Sequence, residues 1–80
     1  MKLSITSHAK RRLIERNVDV KEVREYIERY GYILGKDKDG CIRFKMREGK
    51  KMVTVVIKEV NTDEYILITV IKGKKQKIMI

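Results

Sequence analysis

His8, Arg12 and Arg16 recur at four-residue spacing within Ser7–Val18, SHAKRRLIERNV. On a helix this spacing stacks them into one slowly drifting stripe. An imidazole in line with two guanidiniums makes a phosphate-recognising set. Guanidiniums present paired N–H donors, and histidine is the side-chain type that titrates nearest neutral pH. Ser7 is the expected N-cap, which puts His8 in the first turn, where the helix dipole favours bound anions. In a metal-independent ribonuclease, His8 would take the 2′-hydroxyl proton or give one to the leaving 5′-oxygen. Arg12 and Arg16 would bind the scissile phosphate and stabilise the charge developing on it. Arg11, next in sequence, would grip a flanking phosphate. The competing account leaves His8 as a plain helix-start polar residue and pairs Arg12 and Arg16 with Glu15 or with sheet carboxylates.

A second group of candidates lies in the C-terminal half. Thr69 stands mid-strand, where its hydroxyl would bond a phosphate or orient His8, although threonine is also simply a good strand residue. Arg43 and Lys45 alternate onto one strand face and would extend an anionic groove; a solvated sheet face accounts for them equally well. Among Tyr26, Tyr30, Tyr32 and Tyr65, Tyr30 is expected in the core and Tyr65, at a strand start near the basic tail, is the candidate for stacking on a base. Lys72, Lys74, Lys75 and Lys77 place four lysines in six residues. A charge run of this kind is by default a solvated tail, and here it doubles as a candidate nucleic-acid contact. No phosphate-cradling glycine loop, Ser-His-Asp order or carboxylate pair is visible. One His and one Cys (Cys41) exclude an internal disulfide and make a protein-only metal site or a Cys-rich zinc site improbable, so no cofactor is expected.

The elements that must position these residues follow from periodicity. Met1–Thr6 alternates Leu3 and Ile5 with Lys2 and Ser4, as a short strand does. A helix from about His8 ends near Arg16, with Asn17 in the left-handed conformation that closes it and Ile14 on the apolar flank. Asp19 opens a second helix, with Glu22 completing a capping box and Val18 and Val23 in the two staple positions. Its apolar stripe is Val20, Val23, Ile27 and Tyr30, with Gly31 at C′. From Tyr32 the period changes from 3.6 to 2. Gly35–Gly40, Arg47–Lys50 and Asn61–Glu64 read as turns between strands at Cys41–Met46, Met52–Val60 and Tyr65–Ile71. In the last strand Ile66, Ile68 and Val70 are expected opposite Tyr65, Leu67 and Thr69. Short turns imply antiparallel neighbours. The expectation is a single α+β domain over residues 1–71, β-α-α-β-β-β, with both helices on one face of a curved antiparallel sheet, and a basic tail over 72–80. The closing Ile78-Met79-Ile80 leaves three fates open: an edge strand, a dock on a partner, or a contact with a second copy that would make a homodimer.

The totals bound the function. At 80 residues the chain is one small domain, of a size that buries about 60% of its unfolded surface. Hydrophobic residues at 42% beside 39% charged ones mark a globular chain. No apolar run nears the roughly 20 residues of a bilayer span, and the N-terminus MKLSITSHAK lacks a secretory apolar core, so a cytoplasmic protein without membrane contact is expected. Twenty Lys+Arg against eleven Asp+Glu give a formal charge of +9, which calls for an acidic partner: RNA, DNA or an acidic protein. Lys, Glu and Ile enrichment with few Gln is also a thermophile habit, and it would account for part of the charge.

The pattern His8-Ala9-x-x-Arg12-Leu13-x-x-Arg16-x-Val18, followed by the Asp19-led helix and by Ile68-Thr69-Val70, resembles a small prokaryotic family of unknown function. That family carries a His-Ala-x-x-Arg-x-x-x-Arg signature and a later Ile-Thr-Val strand. In element order the chain is similar to RelE/ParE-like toxins and the wider barnase- and colicin-like ribonucleases. The resemblance implies a RelE-like fold, and it makes His8, Arg12, Arg16 and Thr69 the active-site positions. It further implies a toxin-like endoribonuclease of a toxin–antitoxin system, acting on RNA free or on the ribosome, with an acidic antitoxin as partner. The non-catalytic alternative is a basic RNA- or DNA-binding module, or an interaction protein, using the same Arg/Lys surface. The chain departs from many RelE-type toxins in a tail with neither Tyr nor His.

Overall fold

A computed structural model describes residues 1–48 and 50–72. Strand β1 (Lys2–Ile5) leads into helices α1 (Ser7–Arg16) and α2 (Val20–Tyr30), then a 3₁₀ turn (Gly31–Ile33) and strands β2 (Cys41–Glu48), β3 (Lys51–Asn61) and β4 (Glu64–Lys72). The architecture is the expected α+β, with both helices against one face of a four-stranded sheet of order β1-β4-β3-β2. The sheet is mixed, not wholly antiparallel. Short turns make β2–β3 and β3–β4 antiparallel, whereas β1 pairs parallel to β4, from Lys2 beside Glu64 to Ile5 beside Leu67. The reason is topological: the excursion through two helices lets β1 and β4 run the same way, as a tight turn does not.

Both helices are terminated by their own sequence. The N-cap of α1 is Thr6 rather than Ser7: its Oγ1 accepts the Ala9 N–H at 3.0 Å, and α1 begins at Ser7. Asn17 closes α1 at φ 54°, ψ 49°. Its N–H donates to Ile14 O at 3.2 Å and that of Val18 to Leu13 O at 2.9 Å, the paired bonds of a Schellman stop. Val18 and Leu13 are both buried, which supplies the apolar contact that accompanies it. Asp19 caps α2 by accepting from Lys21 N–H at 2.9 Å. Gly31 does not adopt a left-handed C′ conformation; at φ −55° it continues into the 3₁₀ turn. Its small size serves close approach instead, because a Cβ there would meet Ile27 Cγ2 and Tyr65 Oη, each at 3.3 Å.

Packing assigns the faces. Ala9 and Leu13 of α1 and Val23 and Ile27 of α2 share one buried cluster with Ile42, Phe44 and Met46 of β2, Val53, Val55 and Ile57 of β3, and Tyr65, Leu67 and Val70 of β4. Tyr26, not Tyr30, is the aromatic of α2 that joins this layer: it stacks on Phe44 with centroids 4.5 Å apart and rings 6° from parallel. Tyr30 is 37% exposed and leans on Tyr26 at 4.8 Å. Each fully buried Val, Leu or Ile contributes about 1.5–3 kcal/mol, against about 0–1 kcal/mol for an exposed ion pair such as Arg24–Glu28. The apolar layer therefore sets the fold.

β4 carries an irregularity that periodicity did not foretell. Val56 pairs with Thr69 but Ile57 pairs with Leu67, so Ile68 is an extra residue, a β-bulge. Tyr65, Leu67 and Val70 consequently share the core face, and Thr69 turns to the opposite one. Thr6 is seated on this bulge. Its hydroxyl donates to the Leu67 and Ile68 carbonyls at 3.3 and 3.2 Å, and its N–H donates to Leu67 O at 3.3 Å. Replacing Thr6 with Val keeps the volume but removes the cap and both hydroxyl bonds. We expect a loss of about 1–3 kcal/mol by chemical denaturation; an unchanged midpoint would show that the junction does not hold α1 in place.

Candidate nucleic-acid interface

The Thr6 cap fixes where α1 starts, and with it the positions of His8, Arg12 and Arg16. Ala9 and Leu13 bury against the sheet, so the stripe beside them runs along the helix border, over about 12 Å from His8 to Arg16 at 1.5 Å per residue. His8 is exposed at the second helical position, while Arg12 and Arg16 are half-buried. Arg12 Nη1 pairs with Glu15 Oε2 at 2.9 Å, one of the pairings open from the sequence; both side chains keep contact with solvent (37% and 45% exposed). Such a pair is worth little, so an incoming phosphate can take Glu15's place. Arg16 differs. Its Nε–H is buried and has no acceptor among the described residues. A buried donor of a charged group left unmade costs about 1–3 kcal/mol or more. Arg11 is exposed on the outer side of α1 and borders a shallow depression with Ser7, Lys10, Ile14 and Glu15.

The second group of candidates is not brought to this stripe. Thr69 lies in the cross-strand row Thr69–Val56–Arg43 on the sheet face away from the helices, and Lys45 lies in the adjoining row Ile71–Thr54–Lys45. The bulge at Ile68 is the cause: uninterrupted alternation would have put Thr69 on the face of Leu67. Arg43 is engaged by Asp37, with Asp39 at 3.8 Å, and so ties down the 35–40 loop. Lys45 is exposed on the same face. Tyr65, expected to meet bases, is only 7% exposed and packs in the core beside Gly31, so its ring is not open to stacking. Lys72 closes β4, one residue past the expected domain edge, whereas Lys74, Lys75 and Lys77 lie outside the described residues. Ile14, expected on the apolar flank, is 74% exposed, since it falls about 100° round the helix from Leu13. Among the described residues, no three or more His, Cys, Asp or Glu side chains gather as metal ligands, and no helix is long and apolar enough to cross a membrane.

One polar cluster escaped the sequence because its members lie far apart in the chain. Lys36 Nζ meets Glu59 Oε1 at 2.8 Å, beside Tyr65. The hydrogen bond holds the Glu59 carboxyl below its ordinary value of 4.5 and raises Lys36 above 10.5. Burial, then the neighbouring Glu59 charge, push Tyr65 above 10.0. Stability from Glu59 is present above about pH 4.5 and is lost as pH falls through its depressed folded value; that from Lys36 and Tyr65 is present below about pH 10 and is lost as pH rises. The alkaline fall in urea midpoint from about pH 9 to 11 should therefore be shallower in Tyr65→Phe than in the parent chain. Equal slopes would remove Tyr65 from the alkaline transition.

Comparison with known families matches residues 5–72 to the model described as Domain of unknown function (DUF4258). The chain matches no curated protein and no solved structure.

Proposed function

The chain belongs to the DUF4258 family, and from its own residues we propose a toxin-like endoribonuclease that needs no metal, similar in design to RelE/ParE-like toxins. The observation that carries this reading is the buried, acceptor-less Arg16 Nε in line with Arg12 and with His8 at the start of the same helix. Three groups suited to a phosphodiester share one border, and the Glu15 partner of Arg12 is weakly bound. The charge of +9 draws RNA towards it.

In the proposed reaction the 2′-oxygen attacks the adjacent phosphorus. A P–O2′ bond forms and the P–O5′ bond breaks, leaving a 2′,3′-cyclic phosphate and a 5′-hydroxyl. His8 takes the 2′-hydroxyl proton or supplies the proton that the 5′-oxygen gains; water exchanges the other. Arg12, released from Glu15, and Arg16 bind the non-bridging oxygens and stabilise the extra negative charge of the pentacoordinate state. Thr69 has no part in this scheme, because it faces away from α1. The acidic partner of such an enzyme is an antitoxin, and the site of action is the cytoplasm, on RNA free or ribosome-bound.

Cleavage of labelled RNA in EDTA by the parent chain, by His8→Ala and by Arg16→Ala tests this. We expect the parent to yield cyclic phosphate ends, and His8→Ala to lose about 10²–10⁴ in rate while retaining most RNA affinity. Arg16→Ala should lose about 10²–10³. RNA binding without cleavage by any of the three, with free RNA and ribosomes alike, would instead identify a binding module. Absence of binding at low salt would end both readings.

A further inference from the structure

Among the described residues β1 is an edge strand with one side open. The N–H groups of Lys2 and Thr6 go to Asp63 and Leu67 carbonyls of the β3–β4 turn and β4. Parallel alternation therefore turns the N–H and C=O groups of Leu3 and Ile5 away from β4, to the outside of the sheet. Immediately beside this edge, on the helix side, runs a groove of about 660 Å³ whose apolar lining is Ile5, Leu13, Ile14, Val18 and Val20, with Lys10, Asn17 and Asp19 as its polar members. Ile14 and Ile5 are 74% and 40% exposed. An added strand would lie about 4.8 Å beyond β1, and its helix-side residues would drop onto Ile14, Val18 and Val20.

We propose that the β1 edge and this groove form a strand-addition site for an acidic protein segment in which apolar and acidic residues alternate. The outward backbone groups demand an extended partner rather than a helix. Apolar residues at every second position match the groove. Lys10 lines the groove, Arg11 lines the depression that adjoins it at Lys10 and Ile14, and Lys2 lies on β1 itself; Asp19 accepts the Lys21 amide as the α2 cap, and Glu15 pairs with Arg12. With a formal charge of +9, a second copy of this chain is repelled where an acidic segment is attracted. The inference shares with the ribonuclease reading only the acidic partner. It uses none of His8, Arg12 and Arg16, and its readout is amide protection rather than RNA cleavage.

The probe is a seven-residue peptide alternating Val or Ile with Glu or Asp, added to the full chain and followed by amide hydrogen exchange in NMR. At saturation the Leu3 and Ile5 amides should slow at least tenfold while that of Ser4, already directed at β4, changes little. Ile14→Glu, at an exposed position that does not threaten the fold, should weaken the peptide at least tenfold; His8→Ala should leave its affinity unchanged. Four results would overturn the proposal: no binding, binding without protection of Leu3 and Ile5, equal binding of a Lys-for-Glu peptide, or the same protection appearing with protein concentration alone, which would make a second copy the occupant.

Discussion

The structure depends on one threonine. Thr6 follows β1, accepts the Ala9 amide in the first turn of α1 and donates to the Leu67 and Ile68 carbonyls at the bulge in β4. A single hydroxyl thereby joins three elements at the point where strand turns into helix. Without it, α1 would lose its N-cap and the Leu67 and Ile68 carbonyls their hydroxyl donor, although the Thr6 N–H would still reach Leu67 O. The bulge and the cap explain one another: an extra residue in β4 presents two carbonyls to one place, and a side chain that is both donor and acceptor fills that place.

This junction has chemical consequences. It puts the N-terminus of α1 at the end of the β1–β4 pair and lays the helix along β4 with its apolar side inward. The border that carries His8, Arg12 and Arg16 then lies between packed and wet surface, which is where long cationic side chains keep apolar stems covered and charged heads available. Arg16 goes furthest inward and has lost water from Nε without gaining an acceptor. On the other side of α1 the same rotation leaves Ile14 unburied above an open strand edge. The helix thus presents two surfaces of different character, one suited to phosphate and one to an apolar, extended segment.

The opposite sheet face is organised differently. Arg43 is neutralised by two loop aspartates, Val56 is buried outside the main core cluster, and Thr69 stands in line with both. The Arg43 pairs hold the loop before β2 against the sheet. The Lys36–Glu59 pair beside Tyr65 does the same at the neighbouring end of β3. Arg43, a candidate phosphate contact in the sequence, is therefore committed to loop carboxylates, as Lys36 is to Glu59.

Local information alone determined the element order, the stop at Asn17, the Asp19 cap and the Val18–Val23 staple, because each rests on bonds within a few residues. It also determined the helical stripe of His8, Arg12 and Arg16, since spacing on one helix needs no partner. Only the tertiary structure decided the rest. Parallel pairing of β1 with β4 joins residues some sixty positions apart. The choice of Thr6 over Ser7 as cap depends on β4 carbonyls, and the inward turn of Tyr26 depends on Phe44. The burial of Tyr65 depends on the space beside Gly31. Thr69 changed faces because one bulged residue reverses every side chain after it, a shift of register that strand periodicity cannot reveal.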